Sequence, residues 1–115
     1  MATNARELAL FLHALANGRV LGKDAFEAMK SFSECAMPDT PEINGVGLGL
    51  FRFSLNGREY WGHEGLMIGS QSIALHCAET GMTMAVIGNA SRFDVVRIAR
   101  AIDNAVSEPP SRQNP

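Results

Sequence analysis

The chain has little of several things, and each scarcity narrows what it can be. Only two cysteines occur in its 115 residues, Cys35 and Cys77. They have no close partner spacing, so they offer neither a metal-ligand pair nor a disulfide framework, and two free thiols are expected. An excess of one charge sign is missing: 10 bases stand against 12 acids, a formal net charge of −2. With no basic stripe, nucleic acid and an anionic membrane surface are poor partners. Long hydrophobic runs are missing too. The stretch "LALFLHALA" is broken by His13 and follows Glu7 rather than a basic cluster, so neither a signal peptide nor a spanning helix is read there. The three histidines, His13, His63 and His76, fall in unrelated segments. No metal and no cofactor is expected.

What remains is enough for one domain with a single core, residues 1–107. The tail "EPPSRQNP", 108–115, has nothing to bury and is expected to be mobile. Residues 4–17 predict an amphipathic helix. Asn4 and Glu7 have capping-box spacing. Leu8, Phe11, Leu12 and Leu15 recur on one stripe, and Asn17-Gly18 supplies a left-handed stop. A shorter helix is predicted over 23–32, with Phe26, Met29 and Phe32 turned inward; Pro38, Pro41 and Gly45 mark a loop after it.

From there the period changes to two. In "VGLGLFRF", 46–53, Val46, Leu48 and Leu50 share a face and the glycines leave the other bare, which implies a close neighbour above them. Asn56-Gly57 is a strong hairpin signal of type I′, and the strand returns over Arg58 to His63. Two more strands, 71–77 and 82–88, flank the turn "AETG". A last helix is predicted over 92–106, capped by Ser91 and Asp94, with Val95, Ile98, Ala99, Ile102 and Val106 as its apolar stripe. The expected fold is α+β: two N-terminal helices, a three- to four-stranded antiparallel sheet, and a C-terminal helix packed on it.

The returning strand ends in "GHEG", 62–65. A zinc-protease helix would need a second histidine four residues on, where Met67 stands, and the glycines oppose a helix. The chemistry lies in the series instead: a glycine-faced strand, an Asn-Gly hairpin, an aromatic returning strand, then His63-Glu64-Gly65. That series resembles the C-terminal part of the serine β-lactamase and penicillin-binding-protein superfamily, in the branch of class C β-lactamases, D-alanyl-D-alanine carboxypeptidases and related esterases. "TNARELALFLHALANGRVLGKDAFEAM" is similar to that branch's paired helices, "GVGLGLFRF" to its "YGLGW" strand, and "IALHCAETGMTMAVIGNAS" to its closing strands. The match spans roughly residues 3–106.

The resemblance implies a serine hydrolase pocket in which His63 faces the substrate carboxylate or the general-base network. Gly65 would let the acyl group approach the backbone, and the amide of Leu66 would be one oxyanion donor. Glu64 would point away. The family's Ser-x-x-Lys nucleophile motif is missing, since Val20 and Glu27 stand three residues before Lys23 and Lys30. So is Tyr-x-Asn, because Tyr60 is followed two places on by Gly62. Ser70, Ser72 and Cys77 read as structural residues. The resemblance therefore implies a fragment or truncated relative, inactive alone and lacking catalytic residues of its own. It has two expected partners: a missing N-terminal hydrolase segment, and a second copy in a homodimer. Full-length relatives often work outside the cytoplasm.

Overall fold

The computed structural model describes residues 2–90 and 93–107. The chain folds into two layers of helix on either side of one antiparallel sheet. Helix α1 spans Ala5–Ala16 and α2 spans Lys23–Met29; six strands follow, then α3 at Val95–Ser107. The strands are β1 Ser33–Glu34, β2 Ile43–Val46, β3 Phe51–Leu55, β4 Arg58–Met67, β5 Ser70–His76 and β6 Thr83–Gly88. They lie in the sheet in chain order, each antiparallel to the next.

Local chemistry explains most boundaries. The Asn4 side chain accepts from the Glu7 amide at 2.8 Å, closing the start of α1. The Glu7 carboxylate lies 3.8 Å from the Arg6 guanidinium instead of returning to the cap. At the other end Gly18 takes φ +76° and Arg19 donates to the Ala14 carbonyl, which is the expected stop. Asn56 and Gly57 both have positive φ, 53° and 80°, as a type I′ hairpin requires.

Two expectations need correction. The sheet has six strands rather than three or four: the segment 46–53 holds the end of β2, a tight connection and the start of β3, and β1 with most of β2 lies in the stretch 33–45 expected as a loop. Gly49 adopts φ +73°, and Gly47 donates to Leu50 across the turn. The neighbour close above the glycines is the end of α2: a Cβ on Gly47 would sit 2.5 Å from the Met29 carbonyl oxygen. Leu48 also donates to that oxygen. Helix α3 likewise buries Val95, Val96, Ala99 and Asp103, while Ile98 and Val106 are exposed. Asp94 caps it by accepting from Arg97 at 3.0 Å. Ser91 and the tail 108–115 lie outside the described residues.

Strand alternation divides the core. Phe53, Leu55, Tyr60, Ile73, Leu75 and Met84 pack with Val95, Val96 and Ala99 of α3. Trp61, Ala74 and Leu50 pack with Leu12 and Leu15 of α1, joined by Phe26 and Met29 of α2. Adjacent residues such as Tyr60 and Trp61 thus serve opposite faces. Burial of these side chains, at about 25 cal/mol per Å² of apolar surface, is the main source of stability. Both cysteines are free, and Cys77 is fully buried in the α3-side core. Among the described residues no helix is long and apolar enough to cross a membrane.

Candidate functional site

Strand β4 outruns its partner. Its register with β3 ends at Gly62, opposite Phe51, whereas its register with β5 continues to Met67, opposite Ser70. Residues 63–67 therefore have a strand on one side only among the described residues. Both flanking hairpins have two-residue loops, and such a loop makes the residues around it a hydrogen-bonded pair. Counting by twos from Met67, residues 65, 63 and 61 direct their amides at β5. Glu64 and Leu66 direct theirs at the edge that β3 has vacated.

Beside this edge lies a cleft of about 300 Å³ between α1 and β4. Leu8, Phe11, Leu12 and Leu15 form its helical wall, with Met29 and Leu50 at one end. His63, Gly65 and Ser72 form the sheet side. The lining is mostly apolar with a few polar groups, the usual composition of a ligand site. A second cleft of about 430 Å³ opens on the other face, under α3, and reaches Glu64, Gly65 and Leu66 together with Asp39, Glu42 and Asp94.

His63 is exposed, and its ring stacks on Phe51 with centroids 4.6 Å apart and planes 21° apart. Its Nδ1 donates to the Glu64 carbonyl oxygen, which can only accept, so Nδ1 carries a hydrogen, and in the neutral imidazole Nε2 is the acceptor nitrogen. Gly65 is paired with Ser72, and a Cβ there would meet the Ser72 hydroxyl at 2.8 Å. Leu66 is 73 % exposed, at the root of an apolar hairpin tip that continues through Met67 to the fully exposed Ile68.

Glu64 takes the opposite face from His63: it is paired with Ile73 of the α3-side core, and His63 with Ala74 of the α1-side core. Burial pushes its carboxyl pKa up; the His63 charge opposes this, and Glu42 and Asp94 reinforce it. A raised carboxyl favours folding below its ordinary pKa and loses that advantage as pH rises. Glu64→Gln is therefore expected to raise the thermal midpoint at neutral pH by an amount worth a few tenths of a kcal/mol. The gain should vanish near pH 4. Calorimetry that shows an equal gain at both pH values would contradict this account.

The structure puts His63, Gly65 and Leu66 on one strand; His63 and Gly65 line the α1 cleft, and Leu66 lines the cleft under α3. No serine hydroxyl is hydrogen-bonded to His63 among the described residues; Ser72 lines the same cleft and Ser70 sits at the hairpin end. No cluster of three or more His, Cys, Asp or Glu side chains suited to a metal ion occurs among the described residues.

Sequence reading missed the role of α1 as a cleft wall. It also missed two polar clusters joined over long chain separations: Asp103 with Asn56, Arg58 and Tyr60, and His13 with Thr83 and His76. Neither has a local signature.

Comparison with known proteins places this arrangement. The chain is similar to D-stereospecific amidohydrolase from Streptomyces sp., at 38 % identity over 75 % of this chain and 25 % of that one, with a TM-score of 0.64. It is also similar to D-amino acid amidase from Ochrobactrum anthropi SV3. With D-phenylalanine bound, that enzyme superposes at a TM-score of 0.83 and 25 % identity, over 93 % of this chain and 33 % of that one. With L-phenylalanine amide bound, the values are 0.75 and 28 %, over 91 % and 34 %. Both enzymes belong to the penicillin-binding-protein/β-lactamase superfamily. The chain spans about a quarter to a third of the length of these structures. No family model matches it, and no curated protein matches it in sequence.

Proposed function

We propose that this chain forms one wall of the acyl-transfer pocket of a penicillin-binding-type serine hydrolase, and that the attacking serine comes from polypeptide outside this sequence. The observation that carries the reading is the free stretch of β4, residues 63–67, which runs past β3 beside an apolar cleft. Likeness to two amide hydrolases that are about three times as long supports it. The missing Ser-x-x-Lys and Tyr-x-Asn motifs support the second half of the proposal. The reaction class is amide-bond hydrolysis, with D-amino acid amides as the substrate class that the neighbours suggest.

Each residue has a physical part in this. As a serine hydroxyl adds to an amide carbonyl, negative charge grows on the oxygen, and a donor about 2.7–3.1 Å away stabilises it. The Leu66 amide, turned toward the vacated edge, is that donor. Gly65 keeps the adjacent backbone free of a Cβ, so an acyl group can lie against the strand. His63, with its proton on Nδ1, presents Nε2 to the substrate or to the base that activates the serine. The chain alone should be inert. Incubation with a fluorescent fluorophosphonate and a fluorescent penicillin is expected to leave it unlabelled. Stoichiometric labelling at Ser70, Ser72 or any other serine, located by mass spectrometry, would overturn the proposal.

A second reading concerns present behaviour, and β6 favours it. This edge strand, "TMAVIG", carries no charge and no proline, and no strand pairs with its outer side among the described residues. Such an edge is a template for another strand. The opposite edge, β1, has only two residues and is guarded by the Glu34–Arg52 pair at 3.0 Å. The expected result is a homodimer joined antiparallel through β6. Light scattering at micromolar concentration checks it, and a monomer mass would dispose of it.

A further inference from the structure

Away from the strand edge, on the α1 side of the sheet, two histidines share one hydroxyl. The Nδ1 atoms of His13 on α1 and His76 on β5 lie 3.2 and 2.8 Å from Thr83 Oγ1 on β6, and the two ring centroids are 6.3 Å apart. It is a polar link between α1 and the sheet. The rest of that contact is apolar, centred on Leu12 and Leu15.

The link has a built-in proton dependence. A hydroxyl has one hydrogen and two lone pairs. With both imidazoles neutral, Thr83 donates to one Nδ1 and accepts from the other, so all three groups are satisfied. With both protonated, each Nδ1 carries a hydrogen; Thr83 can accept from both, but its own hydrogen has no acceptor there, and two cations face each other with ring centroids 6.3 Å apart.

The surroundings make this worse. From β4 the neighbour of His76 is the Trp61 ring, 5.2 Å away; from β6 it is Thr83. From α1 it is His13, and from the end of α2 Lys30 reaches over Phe26 toward Trp61. Arg6 lines the groove next to His13 and Thr83. None of these is a carboxylate. Burial lowers the His76 pKa from the ordinary histidine value, and the charges of His13 and Lys30 lower it further. A depressed histidine opposes folding once the ordinary value, about 6.5, is passed on the way down.

We propose that His13, Thr83 and His76 form an acid-sensitive latch that fixes α1 on the sheet at neutral pH and releases it in mild acid, widening the α1–β4 cleft. The inference goes beyond the hydrolase reading and does not depend on it, because the latch acts on α1 whatever the cleft binds.

Hydrogen exchange on the intact chain, expressed as protection factors at about pH 7.5 and about pH 5, tests it. The expected result is a fall of about tenfold for α1 amides on acidification, with β3 and β4 amides unchanged. His76→Gln, which keeps a hydrogen-bonding partner for Thr83 but takes up no proton, should abolish the fall. His13→Asn, at the exposed member of the pair, should blunt it, and it serves alone if the buried variant does not fold. Equal protection of α1 at both pH values would overturn the latch. So would loss of α1 and sheet protection in the same proportion, or a full acid response in the variants.

Discussion

Asp103→Ala is expected to lower the unfolding free energy by about 3–5 kcal/mol, the cost of removing one partner from a buried charged network. Asp103 is fully buried on α3, and its carboxylate accepts from three groups of the β3–β4 hairpin. These are the Asn56 amide at 2.9 Å, the Arg58 guanidinium at 3.1 Å and the Tyr60 hydroxyl. Burial alone would push the carboxyl pKa up. The hydrogen bonds from Asn56, Tyr60 and Arg58, with the Arg58 charge, outweigh it and hold the group below the usual carboxylate range. Tyr60 responds in the opposite sense: burial raises its pKa, and the Asp103 contact raises it further. A depressed carboxyl stabilises the fold above its ordinary pKa, about 3.9, and that contribution disappears as pH falls below it. Asp103→Asn keeps an acceptor but loses the charge, so a smaller cost of roughly 1–3 kcal/mol is expected. Urea unfolding of the three proteins at neutral pH measures both values. An alanine variant within about 1 kcal/mol of the parent would show that the hairpin and α3 do not depend on this carboxylate.

Gly62→Ala is the second large effect. A Cβ at this position would lie 1.9 Å from the Ala74 carbonyl oxygen and 3.0 Å from the Leu75 Cα. Both are backbone atoms of β5, so neither can swing aside, and β4 and β5 must separate locally. Overpacking of this kind costs 1–3 kcal/mol or somewhat more, and roughly 3 kcal/mol is expected here because backbone rather than side chain is in the way. Gly65→Ala is the matched control. Its obstacle is the Ser72 hydroxyl, which can rotate, so its effect on stability should be under about 1 kcal/mol. If denaturant midpoints show the two variants equally mild, β4 does not approach β5 at Gly62 as closely as described.

Local signals were legible in the sequence wherever the chemistry is local. The Asn4 cap, the Gly18 stop and the Asn56-Gly57 turn each depend on residues a few places apart, and each forms, although the Glu7 carboxylate turns to Arg6 and does not complete the expected capping box. The connection at 47–50 was read as strand because Gly47 and Gly49 also fit a period of two. What decides the matter is the Met29 carbonyl, which lies in another element. Asp103 sits on a helix where spacing favoured Ile98 and Val106 as the inner face, and its partners lie 43 to 47 residues earlier in the chain. No periodicity encodes that. For the site, the motif "GHEG" located the strand, whereas the cleft beside it depends on α1 docking some fifty residues away, which only packing can reveal.

The uninterrupted strand order has a kinetic corollary. Every ladder in the sheet joins neighbours along the chain, so each pairing closes a short loop and none waits for a distant segment. Such local pairing favours rapid formation of the sheet, whereas α1 docks on β6 across 70 residues, from His13 to Thr83. The sheet can therefore zip from the Asn56-Gly57 hairpin outward, which leaves the docking of α1 as the long-range step.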